Sequence, residues 1–346
     1  MMTVPAHNSL FRVGTRGSKL ALTQTTMAAE ALAERSGLDY ELVTIKSEGD
    51  VLTGPLSQLG GTGVFATALR QALFDERVDV AVHSLKDLPA KDLEGLTIAA
   101  VPMREDVRDA LCSADDLTLE ELPEGAKVGT GSPRRAAQLL AARPDLQIVD
   151  IRGNVGTRLA RVRGREAAAE ASSQAPGAAR GDLDAVVLAG AGLRRLGLEE
   201  HISELLDPAV MLPAPGQGAL AVEVRSADAA PVLALGIALA QYESIPTRLE
   251  VTAERALLAR LNAGCAAPIG GLARCEDEPD GGVRLRLDAT VCAPDGSEVQ
   301  QAGQELTLEA GVTREAGMEA AEELGRAVAE TLLEEDTGLL KHVVDS

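Results

Sequence analysis

Three groups of residues in this chain carry side chains able to do chemistry. The first is the heptad HSLKDLP at residues 83–89, directly after the apolar run VDVAV. It sets Lys86 beside Asp87 at the end of what reads as a buried strand, with Ser84 just before them. A carboxylate in that place can stabilise a developing cation or move a proton. An ammonium there can neutralise an anion or form a Schiff base. A loop ion pair explains the same two residues, and both readings stand. His83, one of four histidines, reads as a hydrogen-bonded structural residue. The second group is a run of arginines. Residues 130–165 hold eight (Arg134, Arg135, Arg143, Arg152, Arg158, Arg161, Arg163, Arg165), no lysine, and only Asp145 and Asp150 as acids, a local net of +6. Guanidinium forks match carboxylates and phosphates. Arg134 and Arg135 open an expected helix, where backbone N–H groups already favour anions, and Arg152 ends an expected strand. Arg161, Arg163 and Arg165 read better as a solvated helix face. The third is Cys265 in LNAGCAAPIGG, at a helix–loop junction among small residues. On type alone it reads as a small buried hydrophobe, as do Cys112, Cys275 and Cys292.

Other chemistries are excluded by their missing signatures. GTGVFA (61–66) and GQGALA (216–221) match G-x-G-x-x-A, but neither follows a convincing strand, and the second leads into one. A dinucleotide fingerprint needs strand, glycine-rich turn and helix in that order. No P-loop, H-E-x-x-H or G-x-S-x-G occurs. The four cysteines show no C-x-x-C spacing, so neither a zinc site nor a disulfide framework is expected.

The elements that must hold these residues alternate between strand and helix. LFRVGT (10–15) reads as a strand, followed by a helix capped by Ser18 and ended by Gly37. YELVTIK (40–46), VDVAVH (78–83) and TIAAV (97–101) read as strands around a helix at 63–77. A second series runs KVGTG, SPRRAAQLLAAR, LQIVDI, NVGTRLARVR and DAVVLA, with Pro133 just inside its helix. Such alternation predicts parallel sheets. GALAVEVR (218–225) is a further strand. From about 244 a strong helix, two strands (GGVRLRLDATVCA and SEVQQAGQELTLEA) and a last amphipathic helix predict a separate α+β domain. The Ala-rich stretch 165–182 reads as a surface loop or frayed insertion.

Composition narrows the class. The 346 residues suggest two or three domains. Acids outnumber bases 53 to 33, a net charge of −20, so everything outside the arginine-rich window carries −26. With no Trp, two Tyr and three Phe, neither charge nor stacking favours nucleic acid. No apolar stretch is long enough for a membrane span. The opening MMTVPAHNSLFR lacks the apolar core of a secretory signal, and a reducing cytoplasm is the expected compartment.

In order along nearly the whole chain, the segments VGTRGSKLALTQ, PLSQLGGTGVFATAL, DVAVHSLKDLP, REDVRDAL, VGTGSPRRAAQLLAARPDL, IRGNVGTRLARV, DAVVLAGAGLRRLGL, PAPGQGALAVEVR and ERALLARLNAGCAAPIG resemble the porphobilinogen deaminase (hydroxymethylbilane synthase) family. The resemblance implies two α/β domains like type II periplasmic binding proteins plus a smaller C-terminal α+β domain. These would be 1–106 with 216–238, 107–215 with the insertion 165–182, and 239–346. It implies stepwise condensation of four porphobilinogen molecules, each losing ammonia, into a linear tetrapyrrole on a dipyrromethane primer. By match to the motifs, Cys265 would carry that cofactor as a thioether, and Asp87 would be the catalytic aspartate. Ser84, Lys86, Ser132, Arg134 and Arg135 would contact the cofactor. Arg16, Ser18, Gln24, Phe65, Arg152, Arg158 and Arg195 would line the path of porphobilinogen and the growing oligopyrrole. A monomer without nucleic-acid or membrane partners is implied, and no metal. Many members have lysine where this chain has Gln58 and Thr62, so that loop lacks two positive charges. Each pyrrole carries acetate and propionate arms, which suits an arginine-rich region in an acidic protein. Two rival readings are a non-catalytic, two-lobed anion-binding protein of periplasmic-binding type, and a nucleotide-dependent oxidoreductase resting on the weak glycine patterns.

Overall fold

The computed structural model describes residues 10–46, 64–165, 180–264, 267–336 and 338–340. Cys265, Gln58, Thr62 and most of the Ala-rich insertion lie outside these described residues. The chain divides into two compact units, Met1–Met103 with Leu220–Ser244, and Arg104–Ala219 with Ile245–Ser346. Elements are numbered along the chain.

The first unit contains β1 (Leu10–Thr15), α1 (Lys19–Ser36), β2 (Asp39–Thr44), α2 (Val64–Phe74), β3 (Val80–Ser84) and β4 (Leu96–Ala100), then β10 (Leu220–Arg225) and α6 (Ala234–Tyr242). Its sheet has the order β2-β1-β3-β10-β4. Strand β1 pairs in parallel with β2 and β3, whereas β10 runs antiparallel to both β3 and β4. The local signals act as their residue types dictate. Ser18 Oγ accepts a hydrogen bond from the Ala21 N–H at 3.3 Å. Gly37 ends α1 at φ 68°, a left-handed conformation open to glycine. Alternation along β3 sends Val80 and Val82 into a core with Phe11, Val13, Leu32 and Val222. Ala81, between them, faces the opposite core with Leu69, Leu73 and Val78.

The second unit holds β5 (Asp109–Ser113), β6 (Lys127–Gly129), α3 (Pro133–Ala142), β7 (Gln147–Val149), α4 (Val155–Leu159), β8 (Ala185–Ala189), α5 (Gly190–Arg195) and β9 (Glu204–Leu205). The sheet order is β7-β6-β8-β5-β9. Strands β6, β7 and β8 are parallel, and β5 is antiparallel to β8 and β9. The same unit contains α7 (Ile245–Arg260), the antiparallel strands β11 (Ile269–Asp277), β12 (Val283–Cys292) and β13 (Val299–Leu308), and α8 (Arg314–Glu334). Leu249 and Leu257 of α7, Leu285 and Val291 of β12, and Leu324 and Val328 of α8 share one core. Helices α7 and α8 approach so closely that a Cβ on Gly325 would lie 2.2 Å from the Ala253 carbonyl oxygen.

The sheets depart from the expectation of purely parallel pairing. One strand in each five-stranded sheet, β10 or β5, enters from a distant part of the chain and reverses direction. Strands β5, β9 and β11 were not anticipated, and α4 is a five-residue helix where the pattern suggested a longer one. GQGALA leads into β10, as read. Among the described residues no helix is long and apolar enough to cross a membrane.

Candidate active site

In the first sheet the candidate residues gather at one edge. Arg16 and Ser18 follow the C-terminal end of β1, and Ser84, Lys86 and Asp87 occupy or follow that of the parallel β3. A single 3-10 turn spans Leu85–Asp87 and is closed by the Leu88 N–H donating to the Leu85 carbonyl at 3.0 Å. Leu85 and Leu88 are buried and pin the turn on both sides, while Asp87 between them is exposed and Lys86 half-buried. Ser84 Oγ donates to Gln24 Oε1 at 3.2 Å, joining the turn to buried Gln24 on α1. Phe65 lies in α2, with its side chain outside the described part.

Behind this turn sits a cluster that the sequence reading missed. Glu223 of β10 is 2% exposed. It accepts hydrogen bonds from Arg70 at 2.8 Å, and His83 Nε2 lies 3.1 Å away. Burial raises the Glu223 pKa, but the close approach of His83 and the hydrogen bonds from Arg70 outweigh it and hold the carboxyl below its ordinary value. His83 is buried beside Glu223, but its Nε2 makes no well-formed hydrogen bond among the described residues, so the expected hydrogen-bonded histidine is not what this atom shows.

In the second sheet the candidates follow three parallel strands at their C-terminal ends. Ser132, Arg134 and Arg135 come after β6, Arg152 and Arg158 after β7, and Arg195 after β8. Open α/β sheets bind ligands outside this edge. The loops after β6 and β7 lie so close that a Cβ on Gly131 would meet the Ile151 carbonyl oxygen at 2.5 Å. Ser132 is the N-cap of α3, though its side chain makes no capping hydrogen bond, and Pro133 opens the helix.

Arg134 and Arg135 are only 3% and 6% exposed. Both hold Asp109, at the start of β5: Arg134 Nη2 at 2.7 Å from Oδ2, and Arg135 Nη2 at 2.8 Å from Oδ1. Arg134 Nη1 also donates to the Leu212 carbonyl and Arg135 Nη1 to that of Val187. Burial pulls the Arg134 guanidinium below its ordinary pKa, and the charge of Asp109 offsets this only in part. Its Nε is buried without a hydrogen-bond partner among the described residues. One carboxylate facing two guanidiniums leaves net positive charge, in the first turn of a helix that holds no acid there and whose dipole adds to that sign. An orphaned donor and uncompensated positive charge fit a polycarboxylate ligand, so the residues present suit a dipyrromethane with its acetate and propionate arms.

The other arginines differ. Arg152 sits 3.5 Å from Asp150 on the surface. Arg158 Nε donates to the Gly153 carbonyl at 2.8 Å, and Arg195 Nη2 to that of Gly218 at 2.6 Å. Arg161, Arg163 and Arg165 pair with Asp182, Asp184 and Asp116. Only Arg163 is exposed; Arg165 is largely buried and also donates to the Ser113 carbonyl at 2.9 Å, and all three lie beyond the end of α4, so they are not the solvated helix face expected.

Comparison with known proteins decides the family. Residues 11–232 match the family model described as the dipyrromethane cofactor binding domain of porphobilinogen deaminase, and residues 248–334 match that of its C-terminal domain. The chain belongs to the porphobilinogen deaminase family. It is 59% identical over 312 residues to the porphobilinogen deaminase of Micrococcus luteus, covering 87% of this chain and 83% of the relative. It is 51% identical over 328 residues to that of Cutibacterium acnes, covering 94% and 95%. Among solved structures, a periplasmic substrate-binding protein of an ABC transporter from Coxiella burnetii is similar at 17% identity and a TM-score of 0.41, over 68% of this chain and 93% of that one.

Asp109, Gln217 and Glu223 belong to the supporting framework of these sheet edges, and sequence reasoning assigned them nothing. All three lie inside quoted porphobilinogen deaminase segments, Asp109 in REDVRDAL and Gln217 and Glu223 in PAPGQGALAVEVR. The absence of any strand assignment at 109–113 hid what Asp109 faces.

Proposed function

We propose that this chain performs its family's reaction with Asp87 as the catalytic carboxylate and Cys265 as the attachment point of the dipyrromethane. The reaction condenses four porphobilinogen molecules head to tail, with loss of ammonia from each, into hydroxymethylbilane. Bound to the chain, the dipyrromethane supplies the primer pyrrole for that condensation. The observation that supports the reading of Asp87 is its placement, whereas Cys265 rests on the match to the family's motif. Asp87 stands exposed on a pinned turn at a strand's C-terminal end, and the arginines follow three parallel strand ends. Loss of ammonia from porphobilinogen develops positive charge on its pyrrole, and a carboxylate beside that charge favours the transition state over the ground state. Lys86, Ser84, Ser132, Arg134 and Arg135 bind cofactor carboxylates. Arg16, Ser18, Gln24, Phe65, Arg152, Arg158 and Arg195 bind substrate and the elongating chain. We read the protein as three domains, the third being the C-terminal α+β part with its own core. We also read it as a cytoplasmic monomer. Free Cys112, Cys275 and Cys292 fit a reducing compartment.

A thiolate is the soft nucleophile able to hold a methylene-pyrrole as a stable thioether. Cys112 and Cys275 are poor rivals, since burial pushes both thiols up to about 12. Intact mass of the purified protein, followed by peptide mapping, tests the assignment. Two linked pyrrole units on Cys265, absent together with activity in a folded Cys265→Ala variant, are expected. An adduct on Cys112, Cys275 or Cys292 would overturn it.

A further inference from the structure

Asp109 is 0% exposed and stands between both arginines that open α3. Its Oδ1 accepts from Arg135 Nε at 3.0 Å and Nη2 at 2.8 Å, and from Gln217 Nε2 at 2.9 Å. Its Oδ2 accepts from Arg134 Nη2 at 2.7 Å. Gln217 is equally buried, and its Nε2 also donates to the Val107 carbonyl at 2.8 Å. The Gln217 carbonyl in turn accepts from Arg104 Nε at 2.7 Å. Arg104 is locked to Glu254 through two hydrogen bonds, at 2.8 and 3.0 Å. The carboxylate that fixes the arginine pair is therefore itself fixed, through Gln217, to a second buried ion pair.

The number of charges matters as much as the geometry. If Asp109 served only to neutralise buried cations, a second acid would be expected, because each uncompensated buried charge carries a large desolvation cost. The first turn of α3 contains none, and Arg134 Nε has no partner among the described residues. Such a triad orients two guanidinium forks while leaving net positive charge for an incoming anion. Fixing donors in advance also lowers the ordering cost of binding.

We propose that Asp109, braced by Gln217, is a positioning residue that sets Arg134 and Arg135 for the carboxylates of the dipyrromethane. The proposal rests on the reading that this pair grips the cofactor. Its test follows how fast the full-length apoprotein, given porphobilinogen, gains the two-pyrrole mass adduct, with thermal stability measured alongside. Gln217→Met removes the brace and keeps the bulk. It should slow adduct formation roughly tenfold, about 1.4 kcal/mol on the barrier. Asp109→Asn should slow it more, or fail to fold with two buried cations unpaired. Asp109→Glu keeps the charge but moves it by one methylene. A neutralising role predicts that stability and adduct formation recover together in Asp109→Glu. A positioning role predicts that stability recovers while assembly stays slow. Arg135→Leu serves as the control for the underlying reading. If it loses the adduct while Asp109→Glu and Gln217→Met assemble at the parental rate, the positioning role is wrong and the arginine grip stands. If Arg135→Leu also assembles at the parental rate, the grip itself is wrong and the positioning role falls with it.

Discussion

The turn after β3 and the first turn of α3 occupy equivalent places, each beyond the C-terminal end of a parallel strand in a mixed sheet, yet they are built in opposite ways. Asp87 is exposed on a three-residue turn whose anchors are its neighbours Leu85 and Leu88. Arg134 and Arg135 are buried, and most of their donors are engaged by Asp109 and by carbonyls from β8 and the segment before β10. A carboxylate that must meet charge appearing only during reaction gains from an accessible place with few fixed partners. Cations that hold a permanent polyanion gain from being oriented beforehand. The consequence is a difference in what mutation does. Changes at the turn should alter rate and spare stability, whereas changes at the arginine pair should affect both.

Among variants that should still fold, the largest stability effect is expected from the cluster supporting the turn. Glu223→Gln leaves Arg70 short of its carboxylate, and breaking a buried pair costs about 3–5 kcal/mol. The loss should depend on pH. Native Glu223 titrates below the ordinary glutamate value of 4.5, so the native state binds that proton more weakly than the unfolded chain. Its contribution is full above that value and is lost as pH falls through the native pKa. Denaturant unfolding should therefore show a gap between parent and variant at neutral pH that narrows below pH 4.5. A gap independent of pH would place the stabilisation in shape rather than charge.

Arg135→Leu should come next. It gives up charge-assisted hydrogen bonds worth about 1.5–3 kcal/mol but leaves Arg134 and Asp109 as a balanced pair. The variant should fold with a lowered melting temperature and fail to acquire the cofactor adduct. Full adduct occupancy would break the contrast between the two regions. Arg158→Leu should do least to the fold, within about 0.5 kcal/mol as for most surface changes. Its adduct should form normally, with chain elongation stalling instead, visible as enzyme-bound oligopyrrole intermediates in the mass spectrum.

Much of this was legible in local chemistry. Ser18 and Gly37 bound α1 because their types satisfy a helix's free N–H and C=O groups. The alternation of β3 and the long apolar stripe of α8 announce themselves in the same way. Strand direction was not legible, since β5 and β10 pair with strands far away in the chain. The arginine-rich window also looked more cationic than it is. Asp109, Asp116, Asp182 and Asp184 lie outside it in sequence and neutralise four of its members in space. Residue types at strand ends pointed to Asp87 and to the arginines. Nothing local showed that Arg134 and Arg135 would be buried, because their partner lies 25 and 26 residues away on a strand of opposite direction.

Asp87→Asn tests the central claim most directly, with turnover, porphobilinogen binding and thermal stability measured on the same protein. It keeps the shape of the side chain and removes its charge. A charge pair at about 4 Å with an effective dielectric near 20 is worth roughly 4 kcal/mol, which is about a thousandfold in rate. Turnover should fall by about that factor, with melting temperature and porphobilinogen binding close to the parent. Near-parental turnover in the Asn variant would contradict the account and move the chemistry away from the turn after β3.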